Sequence, residues 1–215
     1  ALDESHTLHA GAGHGFSAPS LEETLLPEGQ INPELLPESG WNIESGLRGS
    51  LLNKRWEYEF VGYMIFMKNM LVTKRISEEI FSGINAGSAL LSGIEIQNSI
   101  HLTPFSVNSK WKHKLDLNAF LNRNRFTEFV DDGQDYGGNA LPAIPLEVLI
   151  LNYSANYQNT FHLRFENRYS GNQFMNDANT ELYKGHFLSN LKISVRVWKS
   201  GISHSILITG GIKNI

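Results

Sequence analysis

The chain contains no cysteine, so it has no disulfide framework and no thiolate metal site, and redox compartment leaves no mark on it. It has no apolar run approaching the length of a membrane-spanning helix. Neither sign of charge dominates. The net charge of −4 is spread along 215 residues, with no basic patch of the kind that would bind nucleic acid. There is no Gly-x-Ser-x-Gly elbow, no His-Glu-x-x-His and no phosphate loop, so catalysis has no support. The first residues, Ala1-Leu2-Asp3-Glu4, lack the basic and apolar regions of a secretion signal. The chain stops at Gly211-Ile212-Lys213-Asn214-Ile215 as if in mid-strand. Both ends suggest a portion of something longer. Internal repeats, low-complexity tracts and interdomain linkers are absent, and no cofactor is implied.

What is present is alternation on two scales. About nine strand-like segments cover roughly 6–16, 40–52, 55–72, 89–102, 110–127, 146–157, 160–174, 187–199 and 203–215. The gaps after the odd-numbered segments are long and rich in Gly, Pro, Asn and acidic residues, and those after the even-numbered ones are short. One end of the sheet therefore carries all the elaboration, which is the layout of a barrel with long loops on one side of a membrane and short turns on the other.

Within each segment, residue parity separates two faces. Trp111, His113, Leu115, Leu117, Ala119 and Leu121 share one side, against Lys112, Lys114, Asp116, Asn118, Asn122 and Asn124; Phe120 is an apolar intruder among the latter. Phe161, Leu163, Phe165 and Tyr169 oppose His162, Arg164, Glu166 and Arg168, and Leu191, Ile193, Val195 and Val197 oppose Asn190, Lys192, Ser194 and Arg196. Trp56, Tyr58, Phe60, Met64 and Phe66 likewise oppose Arg55, Glu57 and Glu59. Helical spacing fits none of these runs.

A soluble β-sandwich would also alternate. The runs, however, are about a dozen residues long, whereas soluble strands average about 5–6 and tilted spanning strands need about 9–11. Aromatics mark both ends of the apolar parity: Trp56, Trp111, Tyr157 and Phe161 at the short turns, Trp41 and Tyr169 near the long loops. Trp198 is the exception, falling on the polar parity. The fold expected is all-β, an antiparallel transmembrane β-barrel. Nine strands would leave two open edges in lipid, so residues 1–215 are expected to be about nine strands of a larger barrel.

Several short stretches carry a resemblance. Gly13-His14-Gly15-Phe16-Ser17-Ala18-Pro19-Ser20-Leu21-Glu22-Glu23, Asn32-Pro33-Glu34-Leu35-Leu36-Pro37-Glu38 and Glu44-Ser45-Gly46 come in that order. Asn85-Ala86-Gly87 with Gly93-Ile94-Glu95, then Leu141-Pro142-Ala143-Ile144-Pro145, and finally Gly211-Ile212-Lys213-Asn214-Ile215 follow. Taken together the chain resembles the barrel of TonB-dependent outer-membrane receptors of ferric-siderophore type.

The resemblance implies a barrel of about 22 strands, plugged by an N-terminal domain not among these residues, as are its final strands. It implies outer-membrane lipid and TonB as partners, TonB through that N-terminal region, and uptake of a ferric siderophore or similar small ligand. Cobalamin, haem and glycan are the other cargoes of the family. Phe16-Ser17-Ala18-Pro19 with Asn32-Pro33-Glu34-Leu35 faintly resembles paired haem-receptor motifs, but no histidine lies between Phe16 and Pro33. A passive porin and a secreted β-rich binding module are the alternatives from other classes.

With the long loops outside, Asn122, Asn124, Arg168 and Asn190 are the ligand candidates, facing the lumen near its outer mouth. Two metal readings are weaker than their structural counterparts. His6 and His9 have opposite parity, so a joint site with His14 would need a bulge. Asp131-Asp132-Gly133-Gln134-Asp135 lacks the downstream Glu of a calcium loop and reads as an acidic turn, and Asp177 between Asn176 and Asn179 reads as turn chemistry as well. No metal site is expected. The two prolines at 33 and 37 stiffen the return into the second strand.

Overall fold

A computed structural model describes residues 5–25, 31–75, 81–85, 87–103, 108–200 and 204–215. Nine long strands dominate: β1 (His6–Ser17), β2 (Glu38–Leu51), β3 (Trp56–Lys68), β4 (Ser88–His101), β5 (Trp111–Asn122), β6 (Glu147–Tyr157), β7 (Phe161–Ser170), β8 (His186–Ser200) and β9 (His204–Lys213). They lie side by side in chain order, every neighbouring pair antiparallel. The shortest have 10 residues and the longest 15, enough to cross a bilayer core at a tilt. β1 and β9 are the open edges of this sheet among the described residues.

The register puts the apolar parities of all nine strands on one surface. Along one row Trp41 lies opposite Phe66 and Phe66 opposite Leu90; along another Leu151 pairs with Leu117 on one side and Asn167 on the other. Among the described residues no second layer covers this surface. Trp41, Ile43, Met64 and Ile94 are each about half exposed, and Leu117 is 40% exposed. Among the described residues no large side chain is fully buried. A water-soluble sandwich would not leave so broad an apolar sheet uncovered, whereas hydrocarbon tails solvate it at no penalty.

The aromatic ends form as the parity implied. At the short turns Trp111 lies 5.0 Å from Tyr157 and 5.9 Å from Phe161, and at the long-loop end Tyr169 lies 4.7 Å from Phe187. The indole N–H of Trp56 donates to the Asn98 side chain at 2.9 Å, so the one amide on that part of the apolar surface is satisfied.

Trp198 corrects the sequence reading. Pairing steps from Arg196↔Leu207 to Trp198↔Ile206, leaving Val197 as an extra residue in β8. This β-bulge resets parity, so Trp198 joins Ile206 and Ile208 on the apolar surface.

Three segments are shorter than the periodicity suggested. The third ends at Lys68 and the seventh at Ser170. The fifth breaks after Asn122, and a separate strand, Arg125–Glu128, pairs with the start of β4. The break is where the Asn124 side chain accepts the Ser92 backbone N–H at 3.1 Å in place of a backbone partner.

The long connections carry structure of their own. Leu71–Arg75 pairs with Phe81–Asn85, Val130–Asp131 with Gln134–Asp135, and Gln173–Phe174 with Leu182–Tyr183; Leu21–Thr24 makes a single helical turn. The best-buried cluster among the described residues is here. Ala89, Phe126, Phe129 and Leu141 pack together with Met67, Met70, Leu91, Tyr136 and Ile144 around them. Met67, Ala89 and Leu91 lie on the polar parity of β3 and β4, so the 123–146 connection folds over the sheet's polar face. Gly87, at φ +105°, allows this: a Cβ there would meet the Glu128 carbonyl oxygen.

Candidate functional site: the charged inner face

The polar parity is the surface that a closed tube would turn inward. Its charges are sorted by strand. On β2, β3 and β4 it carries Glu38, Glu44, Glu57, Glu59 and Glu95 against one cation, Arg48. On β7, β8 and β9 it carries Arg164, Arg168, Lys192, Arg196 and Lys213 against one carboxylate, Glu166. β5 lies between, with Lys112, Lys114 and Asp116. Lys114 Nζ and Asp116 Oδ1 are 2.8 Å apart, a pair worth under about 1 kcal/mol at this exposure. A wall sorted in this way sets up a field along the polar face.

Two hollows lie on this face, and only the second follows the sorting, the first mixing Arg48, Lys114 and Arg164 with three carboxylates. One of about 640 Å³ is floored by Arg48, Glu57, Glu59, Gln97, Asp116 and Asn152. The other, about 680 Å³, is lined by Arg164, Glu166, Asn190, Lys192, Thr209 and Lys213. In the second, Arg164 stands directly opposite Lys192 across β7 and β8. Two like charges facing each other repel unless an anion lies between them.

The four sequence candidates fall into two places. Asn122 and Asn124 flank the end of β5. The Asn122 side-chain oxygen accepts from the Tyr63 hydroxyl at 3.0 Å and its Nδ2 donates to the Pro145 carbonyl at 3.1 Å. Asn124 holds the Ser92 N–H, as above, and its carbonyl accepts from Leu141 N at 3.1 Å. Arg168 and Asn190 lie on β7 and β8, two register rows apart on the inner face. Asn190 donates to Glu166 at 3.3 Å and accepts the Asn214 N–H at 3.2 Å. Arg168 is exposed, and among the described residues its side chain makes only a long 3.4 Å contact, from Nε to Ser170 Oγ. It is the candidate with donors to spare.

The charge sorting was readable in the sequence, because each strand's polar parity shows its sign. What the sequence did not give was the register that places Arg164 on Lys192. Nor did it give the apolar loop cluster, whose residues follow no strand or helix period.

The histidines do not meet. His6 lies 6.0 Å from Tyr58 and His14 5.1 Å from Trp41, both on the outward surface, while His9 turns inward against Gly46. The β1–β2 register is unbroken, so the bulge that a joint site needed is absent. Asp131-Asp132-Gly133-Gln134 forms the turn of its hairpin, with Asp132 and Gly133 at positive φ, and Asp135 Oδ1 accepts the Gly137 N–H at 2.8 Å. No group of three metal-ligating residues gathers among the described residues.

Asparagines tie the loops to each other. Asn85 Oδ1 and Nδ2 engage the N–H and C=O of Leu36, both at 2.8 Å. Asn179 does the same to Ala140, at 2.7 and 2.9 Å, and Asn139 Nδ2 reaches the Asp177 carbonyl at 2.8 Å. Burial in this contact, followed by the nearby charge of Asp131, raises the Asp177 carboxyl above its ordinary pKa.

Comparison with known proteins follows this geometry. The family described as TonB dependent receptor-like, beta-barrel, matches residues 1–215. None of the curated protein sequences matches. Among solved structures, the copper transporter OprC superposes with a TM-score of 0.70 at 19% identity, over 99% of this chain and 31% of that one. The ferric enterobactin receptor PfeA of Pseudomonas aeruginosa gives 0.72 at 16%, over 100% and 33%. The ferric yersiniabactin uptake receptor FyuA of Yersinia pestis gives 0.61 at 16%, over 99% and 35%. The chain thus spans about a third of the length of these structures, and at such identities the likeness is one of fold.

Proposed function

Because the chain belongs to the TonB-dependent receptor-like β-barrel family, we propose that it forms part of the wall of an outer-membrane receptor that imports a ferric siderophore or similar iron chelate with energy supplied through TonB. Members of this family are outer-membrane transport proteins. In this reading residues 1–215 are one stretch of a longer barrel. The open edges at β1 and β9 would be closed by further strands, and the lumen would be filled by a plug that also makes the TonB contact.

The observation that carries the cargo class is the basic inner wall of β7–β9. Ferric chelates of this type are anionic, and a cluster of Arg and Lys without matching carboxylates attracts and orients them. Arg168 and Asn190 stand on this wall, so they remain ligand candidates together with Arg164 and Lys192. Asn122 and Asn124 are candidates for shaping the mouth, through their bonds to Pro145 and Ser92. That PfeA and FyuA are receptors for ferric chelates supports the same class.

The test is growth of a strain lacking the parent gene on defined iron sources, with binding of ferric chelates to the purified full-length protein. Selective loss of growth on one ferric siderophore is expected. Equal growth on all of them, with no chelate bound, refutes the cargo. Copper belongs among the sources tested, given the fold shared with OprC.

A further inference from the structure

The outward surface has a notch midway along β3. Gly62 on β3 lies between Ser45 and Ile94 in the register, so one row of the apolar surface has almost no side chain at its centre. The notch opens into a groove of about 570 Å³, walled by Ile43, Met64, Ile94 and Leu121, with Arg123 at one end. A Cβ at Gly62 would meet nothing closer than the Ser45 carbonyl at 4.0 Å, so the space is open rather than filled by a neighbour.

Arg123 continues the outward parity of β5 two residues past Leu121, and Arg125, opposite Leu90, continues it further. Both are exposed, and neither guanidinium has a hydrogen bond or ion pair among the described residues. The backbone that bears Arg123 is nonetheless fixed, since the Ser92 hydroxyl donates to its carbonyl at 2.9 Å and Asn124 holds the Ser92 N–H. Two carboxylates share this side. Glu147 lies over Gly171, and Glu128 stands beyond Arg125, opposite Ser88.

An arginine pair at the rim of an apolar band, directly above a chain-sized groove, matches an amphiphile with an anionic head. Resting on the membrane reading above, we propose that this groove holds one acyl chain of a phosphate-bearing lipid whose headgroup is bound by Arg123 and Arg125. An arginine fork suits a phosphate better than a lone carboxylate does, and long side chains at this height reach the headgroup layer.

Native mass spectrometry of the full-length protein tests this, with dioleoylphosphatidic acid against dioleoylglycerol, which has the same chains without the phosphate. Tighter retention of the phosphatidic acid is expected. Arg123→Gln with Arg125→Gln should weaken that lipid about tenfold, the worth of a lost charge-assisted bond, and leave dioleoylglycerol unchanged. Gly62→Leu fills the notch and should weaken both lipids, with insertion into dioleoylphosphatidylcholine vesicles checking that this variant folds. Retention of phosphatidic acid unaffected by either change overturns the proposal. So does competition by millimolar inorganic phosphate with no dependence on Gly62, which marks a free-anion site. A wild type that does not enter phosphatidylcholine vesicles at all sinks the membrane reading itself, and this site with it.

Discussion

Asn179 and Ala140, 39 residues apart, are joined as two peptide units would be: the side-chain oxygen of Asn179 accepts the Ala140 N–H at 2.7 Å and its Nδ2 donates to the Ala140 carbonyl at 2.9 Å. The pair locks the 171–185 loop onto the 123–146 loop. Asn179→Ala removes both bonds at a net loss of about 1–3 kcal/mol. The loss belongs to loop docking, not to the sheet. Amide exchange at Ala140 should accelerate at least several-fold while thermal unfolding of the barrel stays put.

The same contact depends on pH. The Asp177 carboxyl holds its proton more tightly when the loops are docked than when they are apart, chiefly through burial and then through Asp131. A folded pKa raised above the unfolded one stabilises below the ordinary carboxylate value of about 4, and that contribution fades as pH climbs through the raised value. Docking should therefore loosen from acid toward neutral pH. Asp177→Asn should flatten the dependence and increase protection at neutral pH, read by amide exchange of 139–141.

Leu117 and Asn118 are neighbours on β5 with opposite surroundings, one outward and one inward. Leu117→Lys places a charge in hydrocarbon and should destabilise the inserted full-length barrel by about 2–4 kcal/mol. Asn118→Lys should stay within about 0.5 kcal/mol. Urea unfolding in vesicles would separate the two, and equal effects would contradict the assignment of faces.

Gly93 lies beneath the Tyr63 ring, where an added Cβ would come within 2.5 Å of the Leu121 carbonyl oxygen and 2.7 Å of the Tyr63 hydroxyl. The first contact is backbone and cannot swing away. Gly93→Val should lower stability by about 1–3 kcal/mol through overpacking. Tyr63→Phe, which loses only the bond to Asn122, should lose about 1 kcal/mol.

On the inner wall, Arg164→Gln with Lys192→Gln removes one row of facing cations. Affinity of the full-length protein for an anionic ferric chelate should fall by an order of magnitude or more, with steeper loss at low ionic strength. Glu57→Gln with Glu59→Gln on the opposite side should not lower it.

The sheet was legible in the sequence because a period of two, sustained for ten or more residues, has no other physical reading than a long two-sided strand. The rows of Leu115, Leu163 and Ile193 lie on the uncovered side as parity required. Loop architecture was not legible. Phe126, Phe129 and Leu141 follow no period, and what buries them is a backbone path set by Gly87 and by Asn124 taking over a strand bond. The candidate site was half visible: side-chain identity gave Arg168 and Asn190 their face, but the partners that occupy Asn122 and Asn124 come from residues far along the chain. Periodicity carries no information about such contacts.

The extra residue at Val197 shows how far sidedness depends on continuous pairing. Upstream of it β8 turns its even-numbered side chains inward; one step later the assignment inverts, and an indole that simple counting would send into the tube instead reaches the layer where tails give way to headgroups. A lengthening by a single backbone unit thus moves an anchor from one solvent to another without altering any amino acid.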